Sequence, residues 1–500
     1  MTTTIIKYIS RAFLCASALA LIAISPAFAQ GERTPNGGMG NSAATSRGGY
    51  GSDTGRGAGA VPGGGLDALF NRAKNAQGQI VLADLPESVP SVLLDRVKAA
   101  DKNGDGVLDE QEQAALASQR RAPQGSPVPT QAKKRAALAD AQLNDLDALR
   151  LEMLAQGVAY LKSSQSSDGS FSASPRVGIG PTIVDAIGLL RAGVKPTDSP
   201  LREALAFLEG AIRDDGGVYS EGGHISCYES CLGAVCFDLA NKAIGDGRYD
   251  KVVANAEQFI RRAQYNEENG YSREDAYFGG VGYGDTRQTR PDLSNTQFFV
   301  EALRELGAEE DDRAIQDALV FVSRCQNLES EDNPVEGSTK TNDGGFIYTF
   351  VSGDENPAGQ EVNGGLRSYG SMTYAGLKSL IYAGLTQDDP RVEAATKWIA
   401  ENYSMEQNPG LGKKGLYYYY HTLSKCFQVI GASTFDDATG VAHDWRKELL
   451  TTLALAQNAD GSWVNEERMW YETDANLVTG YVLIVLSYCA LPADAAPSQE

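Results

Sequence analysis

The chain has 500 residues, 42% of them hydrophobic and 22% charged, with a formal net charge of −21. That length supports more than one domain and a large core. A chain this acidic is a poor partner for nucleic acid or an anionic membrane surface, because phosphate binding needs clustered Lys and Arg; the charge serves solubility.

Residues 1–29 read as a signal peptide. Lys7 and Arg11 make a basic start, and Ala12 to Ile24 is an apolar run too short to span a bilayer as a stable helix. Pro26-Ala27-Phe28-Ala29 then offers small residues for cleavage after Ala29. Cys15 follows Leu14 rather than a small residue, which argues against a lipid anchor. The expected destination is a periplasm or beyond, with no integral membrane segment after cleavage. Residues 30–65 are rich in Gly, Ser, Thr and Arg with almost no large apolar side chain. Such a stretch cannot offset its ordering entropy and reads as a disordered tether.

Residues 66–121 read as a small helical module around the loop Asp101 to Glu112. Oxygen-bearing side chains fall at loop positions 1, 3, 5, 9 and 12 (Asp101, Asn103, Asp105, Asp109, Glu112), and Val107 offers a backbone carbonyl at position 7. Gly106 supplies the sharp turn, and Leu108 is the apolar residue that pairs two such loops. This is the EF-hand pattern, and its oxygen count with a bidentate Glu112 favours Ca2+ over Mg2+. A second, damaged loop from Ala73 to Asp84 keeps Gly78 and the apolar Ile80 but has lost the acids at its first and fifth positions. One occupied site and one structural half are expected. Residues 122–144, with Pro123, Pro127 and Pro129, read as a linker.

From 145 to 492 one phrase recurs six times: an apolar helix, a turn of the type Gln457…Asp460-Gly461-Ser462-Trp463, then a second apolar helix. The echoes are Gln165…Gly169, Asp215-Gly216, Gln264…Asn269-Gly270, Gln326…Gly344 and Gln407…Gly415. A small polar residue opens each second helix: Thr182, Ser230, Thr296, Thr373, Thr422 and Asn476. The predicted first helices are 145–163, 200–213, 249–265, 312–326, 390–403 and 444–456. The predicted second helices are 180–192, 227–243, 292–306, 372–383, 420–431 and 475–490. The first set carries charged faces and belongs outside; the second is apolar nearly all round and belongs inside. Six inner and six outer helices alternating around a closed ring make an all-α (α/α)6 toroid, and residues 493–500 form a tail.

Six cysteines remain in the exported chain: Cys227, Cys231, Cys236, Cys325, Cys426 and Cys489. Most lie on apolar helical stretches, where a free thiol behaves as a small buried hydrophobe. His224 with Cys227 and Cys231 is a possible metal cluster, with buried thiols as the default.

The turn at 457–463, its echoes and the Gly-rich segments before the inner helices resemble those of the prenyltransferase and squalene-cyclase repeat superfamily, over roughly residues 145–492. The resemblance implies an active site in the central cavity, near the inner-helix starts that carry Glu229, Asn295, Met372, His421 and Ala475. Cyclases of that family open one inner helix with an Asp-rich motif. The matching stretch here is Asp292-Leu293-Ser294-Asn295-Thr296, with Ser294 at the proton-donating position. A serine hydroxyl is far too weak an acid to protonate an alkene. The zinc-dependent prenyltransferases need Asp, Cys and His; Tyr420-His421-Thr422 resembles the histidine-bearing start, but Ser368 to Thr373 brings neither carboxylate nor thiol. A calcium-assisted polysaccharide lyase is a third possibility, with Arg287, Arg290 and Arg367 beside Asp285 and Asp292 as an arginine clamp or as loop salt bridges. Aromatics cluster as Tyr417 to Tyr420, Tyr369, Tyr374, Trp470 and Tyr471, either as core packing or as a lining suited to cations. The leading expectation is a calcium-binding protein whose ring binds an unknown ligand in its cavity or acts as a scaffold. The rival is an enzyme on an isoprenoid or acidic polysaccharide using Asp292, His421, Glu229 and Asp474.

Calorimetric titration should find one calcium site per chain, not two equal ones. Calcium should raise the melting temperature of the small module and leave that of the ring nearly unchanged.

Overall fold

The computed structural model describes residues 80–82, 101–103, 105–108, 143–174, 177–284, 289–350 and 356–490. The stretches read from sequence as signal peptide, tether and tail, the linker stretch up to residue 142, and the candidate ligands Asp109 and Glu112 lie outside them. The chain divides into two compact bodies, with residues 22–130 forming the smaller.

In the smaller body, strands β1 (Ile80–Val81) and β2 (Val107–Leu108) pair antiparallel, with Ile80 opposite Leu108. These are the two apolar positions on which the sequence pattern turns. Leu108 is fully buried. Asp101 Oδ2 accepts from Gly106 N–H at 2.9 Å, Asn103 Oδ1 from Asp105 N–H at 3.0 Å, and Asp105 Oδ1 from Val107 N–H at 2.8 Å. Gly106 sits at φ +78°, a left-handed turn that favours glycine.

The larger body is the expected (α/α)6 toroid. Its outer helices are α1 (Leu143–Ser164), α3 (Leu201–Glu209), α5 (Asp250–Arg262), α7 (Arg313–Arg324), α9 (Pro390–Asn402) and α11 (Trp445–Ala456). Its inner helices are α2 (Gly180–Arg191), α4 (Ser226–Ile244), α6 (Leu293–Glu305), α8 (Gly370–Tyr382), α10 (Leu416–Ile430) and α12 (Ala475–Tyr488). Each inner helix packs on the next, and α12 packs back on α2, so the ring closes. The inside–outside division follows composition: α5 buries only Ala256 and Ile260, whereas α12 buries nearly every residue from Leu477 to Tyr488. A hairpin of β3 (Phe435–Asp436) and β4 (Ala442–His443), which the repeat pattern does not predict, joins α10 to α11.

The turn between paired helices is the device that holds the ring. Gly169, Gly216, Gly279, Gly344 and Gly461 all adopt positive φ. A methyl group on any of them would meet backbone of the next outer helix, at Glu203, Asn255, Asp317, Ala394 and, for Gly461, Gln156 of α1. Two residues on, a backbone N–H donates to a hydroxyl inside the inner helix: Phe171 to Thr182 (2.9 Å), Val218 to Ser230 (3.0 Å), Val281 to Thr296 (3.0 Å), Phe346 to Thr373 (3.1 Å) and Trp463 to Thr479 (3.2 Å). The glutamine that ends the outer helix locks the turn. Gln165, Gln264 and Gln326 each donate to the turn glycine's carbonyl and to a carbonyl at the start of the next outer helix.

These contacts correct two assignments. The third turn is built on Gly279, not Gly270, because a one-turn 3-10 helix (Glu267–Asn269) and a further loop intervene. The last inner helix is keyed by Thr479 rather than Asn476, which is taken up in the cap. Helix α10 also starts at Leu416, four residues before the predicted boundary, so His421 lies inside it.

Gly344→Ala should destabilise the ring by about 2–4 kcal/mol, combining left-handed strain with a backbone clash. Gly245→Ala should cost only about 1 kcal/mol, since its left-handed C-cap has open space around it. Equal losses in thermal melts would refute the stapled turn.

Candidate functional site

The inner helices converge with their N-terminal ends around a cavity of about 340 Å³. All six contribute: Gly180 and Pro181, Tyr228, Ser294 and Phe298, Ser371 and Met372, Tyr418, and Leu477 with Tyr481. Loops add Tyr283, Tyr348, Tyr369 and the strap Trp470-Tyr471-Glu472. The wall is an aromatic mesh, in which Tyr228 meets Phe298 edge-on at 5.4 Å between centroids and Phe298 meets Tyr418 at 6.1 Å. Ser294 lines it, and its hydroxyl shares a 2.9 Å hydrogen bond with the Tyr418 hydroxyl.

None of the four residues proposed from sequence lines this cavity; each does structural work near it. Asp292 caps α6, accepting from Asn295 N–H at 2.8 Å and from its amide at 2.7 Å. Burial pushes its pKa up to about 7, against the lowering pull of those bonds and of Tyr348. Tyr348 thus stands between Asp292 and the cavity. Glu229 is fully buried and accepts from Ile179 N–H (2.6 Å), Gly180 N–H (3.2 Å), Ser220 N–H (2.8 Å) and the Ser220 hydroxyl (3.0 Å), fixing the start of α2. Asp474 caps α12 through Asn476 and Leu477 N–H and accepts from Ser172, tying the last repeat to the first.

His421 lies deeper. It is buried against Phe298, Tyr481 and Tyr488, and its Nδ1 has no partner. Burial drives its pKa down to about 3, only partly opposed by Glu301, so the imidazole is neutral. Beside it a charge network fills the bore. Lys378, fully buried, pairs with Glu301 and donates to Gln297 at 2.6 Å, while Lys425 pairs with Glu305 at 2.5 Å. Burial alone would raise Glu301, but Lys378 and then Lys425 bring it down to about 2.

The acidic residue of the cavity wall that the sequence pattern does not single out is Glu472. It is a lining residue of the cavity, 1% exposed, and its carboxylate accepts from Tyr418 N–H at 2.8 Å and Asn465 Nδ2 at 2.6 Å. Burial pushes its pKa up to about 7 against those bonds and those from Tyr417 and Leu416 N–H. The neighbouring Trp470 and Tyr471 have φ of 56° and 62°, a costly conformation for bulky residues. The local signal was an acid between two aromatics and a cap; what it caps is 54 residues upstream.

Other candidates disperse. His224 is exposed while Cys227 and Cys231 are buried, and all six cysteines are free thiols. Among the described residues no cluster of His, Cys, Asp or Glu is placed to hold a metal. Arg290 is exposed, Arg367 is exposed and paired with Glu361 at 2.9 Å, and Asp285 and Arg287 lie outside the described residues.

No family model and no curated protein matches the chain. Among solved structures it is similar to a type II terpene cyclase from Scytonema (12% identity, TM-score 0.43, covering 69% of this chain and 98% of that one). It is similar also to an unsaturated glucuronyl hydrolase specific for heparin (11%, 0.43, 68% and 97%) and to an alpha-amylase from Clostridium perfringens (12%, 0.42, 68% and 97%). These chemistries differ from one another, and the fold rests on the chain's own closed order of helices.

Asp292 and Glu472 bind a proton more tightly folded than unfolded, so their contribution to stability is full below pH 4 and is lost as the pH rises toward 7. Asp292→Asn and Glu472→Gln should each flatten the fall in stability between pH 5 and 8, by on the order of 1–3 kcal/mol. Thermal melts of wild type and variants that stay parallel across that range would contradict these protonation states.

Proposed function

We propose that this is an exported, calcium-binding protein whose toroid binds an apolar ligand in its central cavity. The observation that carries the proposal is the cavity itself: about 340 Å³, lined from every inner helix, with aromatic side chains from α4, α6, α10, α12 and the loops and no Lys, Arg or His among its described lining residues. An acidic polysaccharide would need countercharge there, so an isoprenoid-like or other apolar molecule is the better occupant. Cyclisation by alkene protonation is disfavoured, since Ser294 stands where the acid should be and Glu472 is far too weak an acid.

Calcium in the smaller body is supported by the loop pattern and by Asp101, Asn103 and Asp105, whose carboxylate and amide oxygens are of the type calcium takes. When bound, the ion would supply ordering of the loop. Export is supported by the first 29 residues.

A second reading, an enzyme, is favoured by Glu472, a buried carboxyl in the cavity wall whose proton affinity sits near neutrality, where a general acid or base works best.

Protein purified from its native envelope should yield an apolar molecule on organic extraction and mass spectrometry, and Trp470→Ala should weaken its rebinding by about tenfold. No extractable molecule, together with no binding of apolar fluorescent probes, would overturn the binding role. Turnover that Glu472→Gln abolishes while binding persists would establish the enzyme instead.

A further inference from the structure

The cavity's electrostatics are decided at the helix ends that face it. An uncapped helix N-terminus favours anions through its free N–H groups and the positive end of its dipole. Six such ends converge here, which at first sight describes an anion site. Every one is already occupied. Carboxylates take four: Glu229 at α2, Asp292 at α6, Glu472 at α10 and Asp474 at α12. Carbonyl oxygens take the other two: Cys227 N–H of α4 donates to Tyr283 O at 2.9 Å, and at α8 Gly370 N–H donates to Pro409 O at 2.8 Å and Ser371 N–H to Asn408 Oδ1 at 2.9 Å. A helix end is equivalent to roughly half a positive charge, and an ionised carboxylate to a full negative one. At the four acid-capped ends the leading N–H groups already donate to a carboxyl, so an incoming phosphate or carboxylate loses the attraction an open helix end would give it.

The lining adds to the same sign. Tyr228, Tyr283, Tyr348, Tyr418, Tyr481 and Trp470 line the cavity with π-systems whose faces attract cations. Glu472 is in the wall, and Asp292 stands one hydroxyl behind it through Tyr348. The cations of the bore, Lys378 and Lys425, lie below and are paired with Glu301 and Glu305, which Arg191 also approaches at 3.5 Å.

Resting on the reading that the cavity binds a small molecule, we propose that the ligand is an organic cation, an apolar body carrying a tertiary or quaternary ammonium group seated among the rings beside Glu472. An ammonium group gains from the π-faces of the rings and from the Glu472 carboxyl beside them, whereas a neutral apolar ligand gains only from burial.

The test is calorimetry on the full chain with three benzyl probes: benzyltrimethylammonium, its neutral carbon isostere neopentylbenzene, and the anion phenylacetate. The cation should bind at least about tenfold tighter than the isostere, and phenylacetate should not bind. Glu472→Gln, checked for folding by circular dichroism, should narrow the cation-to-neutral ratio by about tenfold; Trp470→Leu, which keeps the acid, should narrow it less. Equal binding of cation and isostere would overturn the charge preference and leave the apolar cavity standing. Preference for phenylacetate would overturn it too. Binding of none of the three would remove both this proposal and the cavity reading beneath it.

Discussion

The ring depends on one contact made at five of its six turns. A glycine in the left-handed region lets the turn lie directly on the backbone of the next outer helix, and the N–H two residues on is then held by a hydroxyl of the inner helix. One turn so joins three helices. Because Gly461 leans on Gln156 of α1, the last repeat uses the first as its neighbour, and no end is left to cap. The fifth repeat departs from the rule: Asn408, fully buried, takes the turn's place and reaches to Ser371 at the start of α8.

Closing a ring this way brings six helix N-termini to one mouth, and their orphan N–H groups must be satisfied. At four of the six ends the chain meets that demand with an acid, buried in three cases and half-buried at Asp474, and the choice has a chemical consequence. Glu229, with four bonds, serves packing alone. At Asp292 and Glu472 burial outweighs the surrounding donors and holds both near neutrality in their proton affinity. A structural requirement of the toroid thus places titrating carboxyls at or just behind the cavity wall.

Below the cavity the bore is filled rather than open. Lys378 with Glu301 and Lys425 with Glu305 span α6, α8 and α10, and His421 sits neutral beside them. A buried pair contributes less to stability than its Coulomb attraction suggests, because desolvation offsets it. Removing one partner would strand the other, so these residues are better read as fixing the mutual register of the inner helices than as chemistry.

The twelve ring helices, their inner and outer roles and the closed ring are legible along the chain, because they follow from hydrophobic period and composition repeated six times. It also held the loop pattern around Asp101 and the pairing of Ile80 with Leu108, since fixed local spacing is enough for a turn. Which residues face the cavity depends on packing between distant parts of the chain. Asp292, His421, Glu229 and Asp474 stand beside aligned helix starts, but direction and burial turn them into caps and core. Glu472 enters the wall only because its strap folds back over α10, and Gly279 and Thr479 replace Gly270 and Asn476 because a turn is defined by the helix it touches. Such contacts join residues far apart in the chain, and no period along the sequence encodes them.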